Sequence, residues 1–182
     1  MRTRYRFFLL MIAWIAAITT GVNPMAAESP ETLATSASKP VALGAGPVTV
    51  TLAPVTGSAA SLSARVASVR QDRKAYLVVK GLGTNEQPEA AYQVYLALPG
   101  GVTPNPDGPH YVGSLNFFNA MSYGEAKAGP DPRFFSFDVT NLLKTLQSSK
   151  SLGDIATVTI VPTSAPRASA KPVIGEIALV EQ

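Results

Sequence analysis

The chain has 182 residues, no Cys, one His and one Trp, with 15 Lys+Arg against 12 Asp+Glu. That length holds one domain, with room for only a very small second one. The missing cysteines exclude a disulfide framework, a thiolate nucleophile and cysteine-ligated zinc or iron–sulfur centres; a single histidine excludes a multi-histidine metal centre. The net charge of +3 comes from Arg2, Arg4 and Arg6. Beyond residue 27 the basic and acidic residues balance, so there is no electrostatic footprint for nucleic acid or an anionic membrane surface.

In chain order, the arginine-bearing start is followed by an apolar run, Phe7–Ile18, and by small residues ending in Ala26 and Ala27. This pattern reads as a secretory signal peptide over residues 1–27, with cleavage near Ala27 and a secreted or periplasmic location. The apolar run falls short of the roughly 20 residues a membrane span needs, so no stable anchor is expected after cleavage. Glu28–Gly46 is rich in Ser, Thr, Ala, Pro and Gly. It predicts a flexible linker, with the folded domain occupying 47–182.

Val48, Val50 and Leu52 alternate with threonines, as in a half-buried strand. Residues 59–69 fit either a strand or one helical face. Ala75–Lys80, Ala91–Leu98, Tyr111–Phe118, Arg133–Val139, Ile155–Val161 and Pro172–Val180 read as further strands. Pro99–Pro109 and Asn119–Pro132 read as exposed loops. Leu142, Leu143 and Leu146 make a helical stripe over about residues 140–147, with Thr140 as its cap. The sum predicts an all-β protein: an antiparallel β-sandwich or jelly-roll-like barrel of about seven or eight strands with one short helix.

Few residues offer chemistry. His110 follows a Pro-rich turn and lacks partners for a ligand or base role. Ser114 lacks a nucleophile elbow. Asn105, Asp107 and Gly108 imitate part of a calcium loop without its distal Glu, as a plain turn does. Gly81-Leu82-Gly83 is too short for a phosphate loop. Phe117, Phe118, Phe134, Phe135 and Phe137 read mainly as core, with one or two at loop margins. No catalytic, metal or cofactor residue is nominated.

The order of six segments is more specific. Tyr76–Leu82 (YLVVKGL), Tyr92–Leu96 (YQVYL), Tyr111–Asn116 (YVGSLN), Thr140–Leu143 (TNLL), Val158–Pro162 (VTIVP) and Ile174–Ile177 (IGEI) follow one another over about residues 75–180. This resembles the C-terminal KFDV-type domain of plant polyphenol oxidases (catechol oxidases) and of bacterial tyrosinase-associated relatives. The strand that names that domain reads Ala-Tyr-Gln-Val here, without its Lys and Asp. A type-3 copper pair like the family's needs six histidines, so the resemblance does not carry oxidation into this chain.

What the resemblance implies is a β-sandwich that covers a copper oxidase domain. The expected role is a non-catalytic secreted module that covers or assists a separate type-3 copper oxidase. Loops carry function on such scaffolds. The expected partner-binding residues are Met121, Tyr123, Phe118 and His110. The alternative is an envelope binding module for a polysaccharide or small phenolic, which a pocket lined by Tyr92, Tyr95 and Tyr111 would favour.

Overall fold

The computed structural model describes residues 29–36, 39–55, 60–118, 120 and 133–182. The expected signal peptide, Met121 and Tyr123 lie outside the described residues. Among the described residues ten strands and two helices follow one another: β1 (Glu31–Ser36), β2 (Val41–Ala42), β3 (Val48–Pro54), α1 (Leu62–Ser68), β4 (Ala75–Lys80), β5 (Tyr92–Leu96), β6 (Tyr111–Leu115), β7 (Phe134–Asp138), α2 (Thr140–Ser148), β8 (Ala156–Pro162), β9 (Val173–Ile174) and β10 (Glu176–Glu181).

Eight of the strands form one antiparallel sheet in the order β6-β5-β8-β3-β1-β10-β4-β7, and β2 pairs with β9 beside it. The sheet curls until its two outer strands meet, giving an all-β, nearly closed barrel. Alternation sets which side chains point inward. In β3, Val50 and Leu52 are buried while Thr49 and Thr51 are exposed. Across the outer face the Thr49 and Thr159 hydroxyls bond at 3.1 Å, a cross-strand pair between β3 and β8. The interior is filled by Leu77, Val79, Val94, Val158, Ile177 and Leu179.

Of the ambiguous stretch 59–69, Leu62–Ser68 is helical. Ser61 caps α1 by accepting from the Ala64 amide at 3.2 Å, and Leu62 and Val66 are buried. In α2, Leu143 and Leu146 are buried and Leu142 packs half-buried against the core. The Gln147 amide donates to the Ser63 carbonyl at 3.2 Å and ties the helices together. Thr140 is the first helical residue rather than the cap. Val139 holds the cap position without a side-chain bond. Just before it the Asp138 carboxylate accepts from the Thr140 amide at 3.1 Å, while the Thr140 hydroxyl accepts from the Ala75 amide at 2.9 Å.

The expected linker is corrected. Within 28–46, Glu31–Ser36 is an interior strand, hydrogen-bonded to β10 on one side and β3 on the other. Leu33, Ala34 and Leu43 belong to the core. The folded domain therefore begins well before Pro47. Small and polar residues suffice in β1 because both its neighbours are already in place. The Ser36 hydroxyl, itself buried, accepts from the Ile177 amide at 3.0 Å, and the Thr35 hydroxyl donates to Glu176 at 3.1 Å. The last expected strand, Pro172–Val180, is broken into β9 and β10 at Gly175. There the chain passes so close to Gly81 that a Cβ on Gly81 would sit 3.2 Å from the Gly175 Cα.

Candidate functional site

The outer strands β6 and β7 are successive in the sheet's chain order, and seven antiparallel pairings separate them around the barrel. They therefore run antiparallel where they meet. The end of β6 and the start of β7 lie at the same mouth of the barrel. No ladder joins them among the described residues. Instead, the ring of Phe137 lies against Gly113, where a Cβ would come 2.6 Å from the ring. Phe135 stacks on Phe137 with centroids 6.1 Å apart and planes at 11°. The seam is thus closed by aromatic packing against a bare backbone.

At this mouth the chain displays two aromatic rings to solvent. Phe117 is buried, meeting Tyr92 edge-on with centroids 5.5 Å apart. Its carbonyl accepts from the Gln87 amide nitrogen at 3.1 Å and from the Ala120 amide at 2.9 Å. The Asn116 side chain accepts from the Phe118 amide at 3.0 Å. These bonds fix the backbone so that Phe118 points outward, 71% exposed. Phe134 opens β7 opposite Lys80, after the Arg133 carbonyl has accepted from the Gly81 amide at 3.0 Å, and is 60% exposed. Two large exposed rings on anchored backbone are an unusual use of apolar surface, whereas a lone exposed side chain is ordinary.

The other expected site residues do not join them. His110 sits half-buried at the opposite end of β6, where its Nδ1 pairs with the Leu96 carbonyl at 3.1 Å. The five residues of β6 alone put roughly 16 Å between it and Phe118. His110 therefore serves the β5–β6 connection. Sequence reasoning placed Phe134 among the aromatics without choosing it for the site. The signal was present: alternation that turns the half-buried Phe135 and Phe137 inward puts Phe134 on the outer face.

Tyr92, Tyr95 and Tyr111 do not line a common pocket. Tyr92 faces the barrel interior, whereas Tyr95 lies on the other face of β5, buried, and packs on Tyr111 at 5.6 Å. The Tyr92 hydroxyl is buried without a hydrogen-bond partner among the described residues, and burial raises its pKa above the ordinary phenol value. Asn105 accepts from the Asp107 amide at 3.0 Å through its side chain and from the Gly108 amide at 2.9 Å through its carbonyl, which is a plain turn. Among the described residues no three of His, Cys, Asp and Glu come together as a metal-ligand group. No described helix is long and apolar enough to cross a membrane.

Residues 30–182 match a sequence family described as a domain of unknown function (DUF7868). The chain belongs to that family. No curated protein matches it in sequence. Among solved structures, latent apple tyrosinase is similar over 79% of this chain and 27% of its own, at 18% identity and a TM-score of 0.50. Latent aurone synthase, a polyphenol oxidase, is similar over 79% of this chain and 25% of its own, at 19% identity and a TM-score of 0.47. The same enzyme from its natural source gives 17% identity and a TM-score of 0.45. The chain thus spans about a quarter of the length of these polyphenol oxidases, and the likeness is one of fold. A copper pair of the kind the resembled family uses does not fit this chain, whose one histidine is engaged with a backbone carbonyl.

Proposed function

We propose that this domain is a secreted or periplasmic, non-catalytic cover or accessory for a separate type-3 copper oxidase. It docks through the barrel mouth where β6 ends and β7 begins. The observation that carries the proposal is the pair Phe118 and Phe134, held on anchored backbone and exposed, in a barrel that shares its fold with about a quarter of apple tyrosinase. Exposed aromatic rings on a rigid frame are what a partner's apolar cleft accepts, and such anchors typically carry about 2 kcal/mol or more of binding.

The test has two parts. The purified protein with added copper is expected to oxidise catechol no faster than free copper does. The tagged protein is expected to capture a copper oxidase from its host and to lower its turnover. The double change Phe118→Ser and Phe134→Ser should abolish capture while shifting unfolding by less than about 1 kcal/mol. Capture that survives the double change moves the contact elsewhere, and turnover by the protein itself overturns the non-catalytic reading. The alternative of a phenolic-binding module loses the tyrosine-lined pocket that would have supported it, since Tyr92 faces the core.

A further inference from the structure

A second concave surface uses no residue of the seam. It is a cleft of about 550 Å³ between residues 42–45 and 166–173. One wall is formed by Leu43, Gly44 and Ala45, and the other by Pro166, Ala168 and Pro172. The volume lies in the range of small-molecule sites, and the small apolar lining suits a flat or slender apolar body.

The walls are tied in place. The Leu43 amide donates to the Pro172 carbonyl at 2.9 Å, joining the two sides at the floor. The Ala170 carbonyl accepts from the Asn85 amide and from the Thr84 hydroxyl, each at 2.8 Å. The Arg167 amide donates to the Pro88 carbonyl at 3.0 Å. The cleft is therefore preformed and would need little ordering on binding.

Both charged residues that line it are cationic, Arg167 and Lys171, and they are not equivalent. Arg167 is committed to Glu89 at 2.6 Å, with Glu86 near enough to add to the attraction. Among the described residues no carboxylate pairs with Lys171. Its backbone is also unusual. Lys171 has φ of +44°, a left-handed conformation, directly before a proline, where an extended conformation is strongly preferred. Lys150 shares the left-handed region, but there it terminates α2, an ordinary use. Lys171 ends no helix; it follows the turn Arg167–Ala170, and its exposed side chain stands unpaired among the described residues at the cleft, a backbone outlier of the kind that clusters at binding sites.

We propose that this cleft binds a small monocarboxylate with an apolar body, such as an aromatic acid, with the Lys171 ammonium as its counter-ion. A carboxylate paired with the exposed Lys171 ammonium at the rim of the apolar cleft gains a charge-assisted hydrogen bond that a neutral isostere lacks.

The test titrates the isotope-labelled full chain with benzoate and, separately, with benzamide. Benzoate is expected to give saturating shifts of the amides in 42–45 and 168–173, with benzamide about tenfold weaker or more. Lys171→Gln should erase that preference at an unchanged melting temperature, and Lys171→Arg should keep it. Lys171→Gly should erase it while raising the melting temperature, because glycine relieves the left-handed strain. Equal binding of the two probes, shifts centred elsewhere, no saturation within benzoate's solubility, or a preference that survives Lys171→Gln would each overturn the proposal.

Discussion

The wall β3–β1–β10 and the seam β6–β7 belong to one sheet and are built on opposite plans. In the wall, β1 has only Leu33 and Ala34 as buried apolar side chains, yet ladders flank it on both sides. At the seam, β7 carries Phe134, Phe135 and Phe137 in five residues but has a ladder on one side only. Where backbone partners are present on both sides, small residues are enough, because the neighbours supply both hydrogen bonds and cover. Where the ladder stops, aromatic rings fill the gap, and one of them, Phe134, is left in solvent. The lesson is that apolar content ranks these two strands in the wrong order for centrality.

The sharpest way to break this comparison is to remove the wall strand. A chain beginning at Pro47 loses β1, so β3 and β10 both face a gap. The lost terms are two sets of ladder bonds at about 1 kcal/mol each and the burial of Leu33 and Leu43 at about 2 kcal/mol each. Together they are comparable with the net stability of about 5–15 kcal/mol that a domain possesses. The truncated chain is expected to show no cooperative thermal transition by circular dichroism. A melt within a few degrees of the full chain's would show that β1 is dispensable.

The seam is probed by restoring what its glycine omits. In Gly113→Ala the new methyl group meets the Phe137 ring at 2.6 and 2.8 Å, so overpacking should cost about 1–3 kcal/mol. Phe137→Leu in that background should recover part of the loss, and the coupling between the two changes is the quantity to measure. Additive effects would mean that the ring does not seal the seam against β6.

These two regions also mark what was legible. The strands β3, β4, β5 and β8 were readable because their alternation is local, and so was α2, from the spacing of Leu142, Leu143 and Leu146. β1 was not, because its fixing contacts are non-local: Ser36 and Thr35 bond to residues 141 positions away. Nothing in ETLATS announces them. Of the mouth, Phe118 was legible as a residue at the edge of a Gly/Pro-rich loop. Phe134 was legible only by following alternation through β7 to its first residue. His110 lies at the other end of β6 from Phe118, because nearness in sequence to a strand does not say which end of it a residue occupies. The Lys171 cleft had no sequence signal, since a left-handed backbone before proline is not written in composition.

Tyr92 joins the two plans, lying on β5 inside the barrel and touching Phe117 at the mouth. Its hydroxyl lost water on folding and gained no partner among the described residues. Tyr92→Phe keeps the ring and the edge-on contact while removing the orphan group. It should raise stability by about 1 kcal/mol, read as a higher urea midpoint at unchanged slope. A loss instead would reveal a bound water or partner at the hydroxyl.

The smallest expected effect sits at the far end of β7, where it passes into α2. The Asp138 carboxylate accepts from the Thr140 hydroxyl at 2.7 Å and from Lys74 at 3.0 Å, and its pKa is lowered to about 2, first by the Thr140 hydroxyl and then by Lys74. The folded value lies below the ordinary carboxylate value of about 4. Its contribution is therefore present above about pH 4 and is lost as the pH falls through 2. Lys74 is shifted upward by the same pair, so its share holds below its ordinary value and fades only as strongly alkaline pH passes the raised one. Both side chains are substantially exposed, and water screens such pairs until little of the attraction remains. Asp138→Asn should accordingly cost little at pH 7, and the wild type's advantage should vanish near pH 2. If the two proteins differ equally at both pH values, the carboxylate acts through the geometry of the α2 cap rather than through its charge.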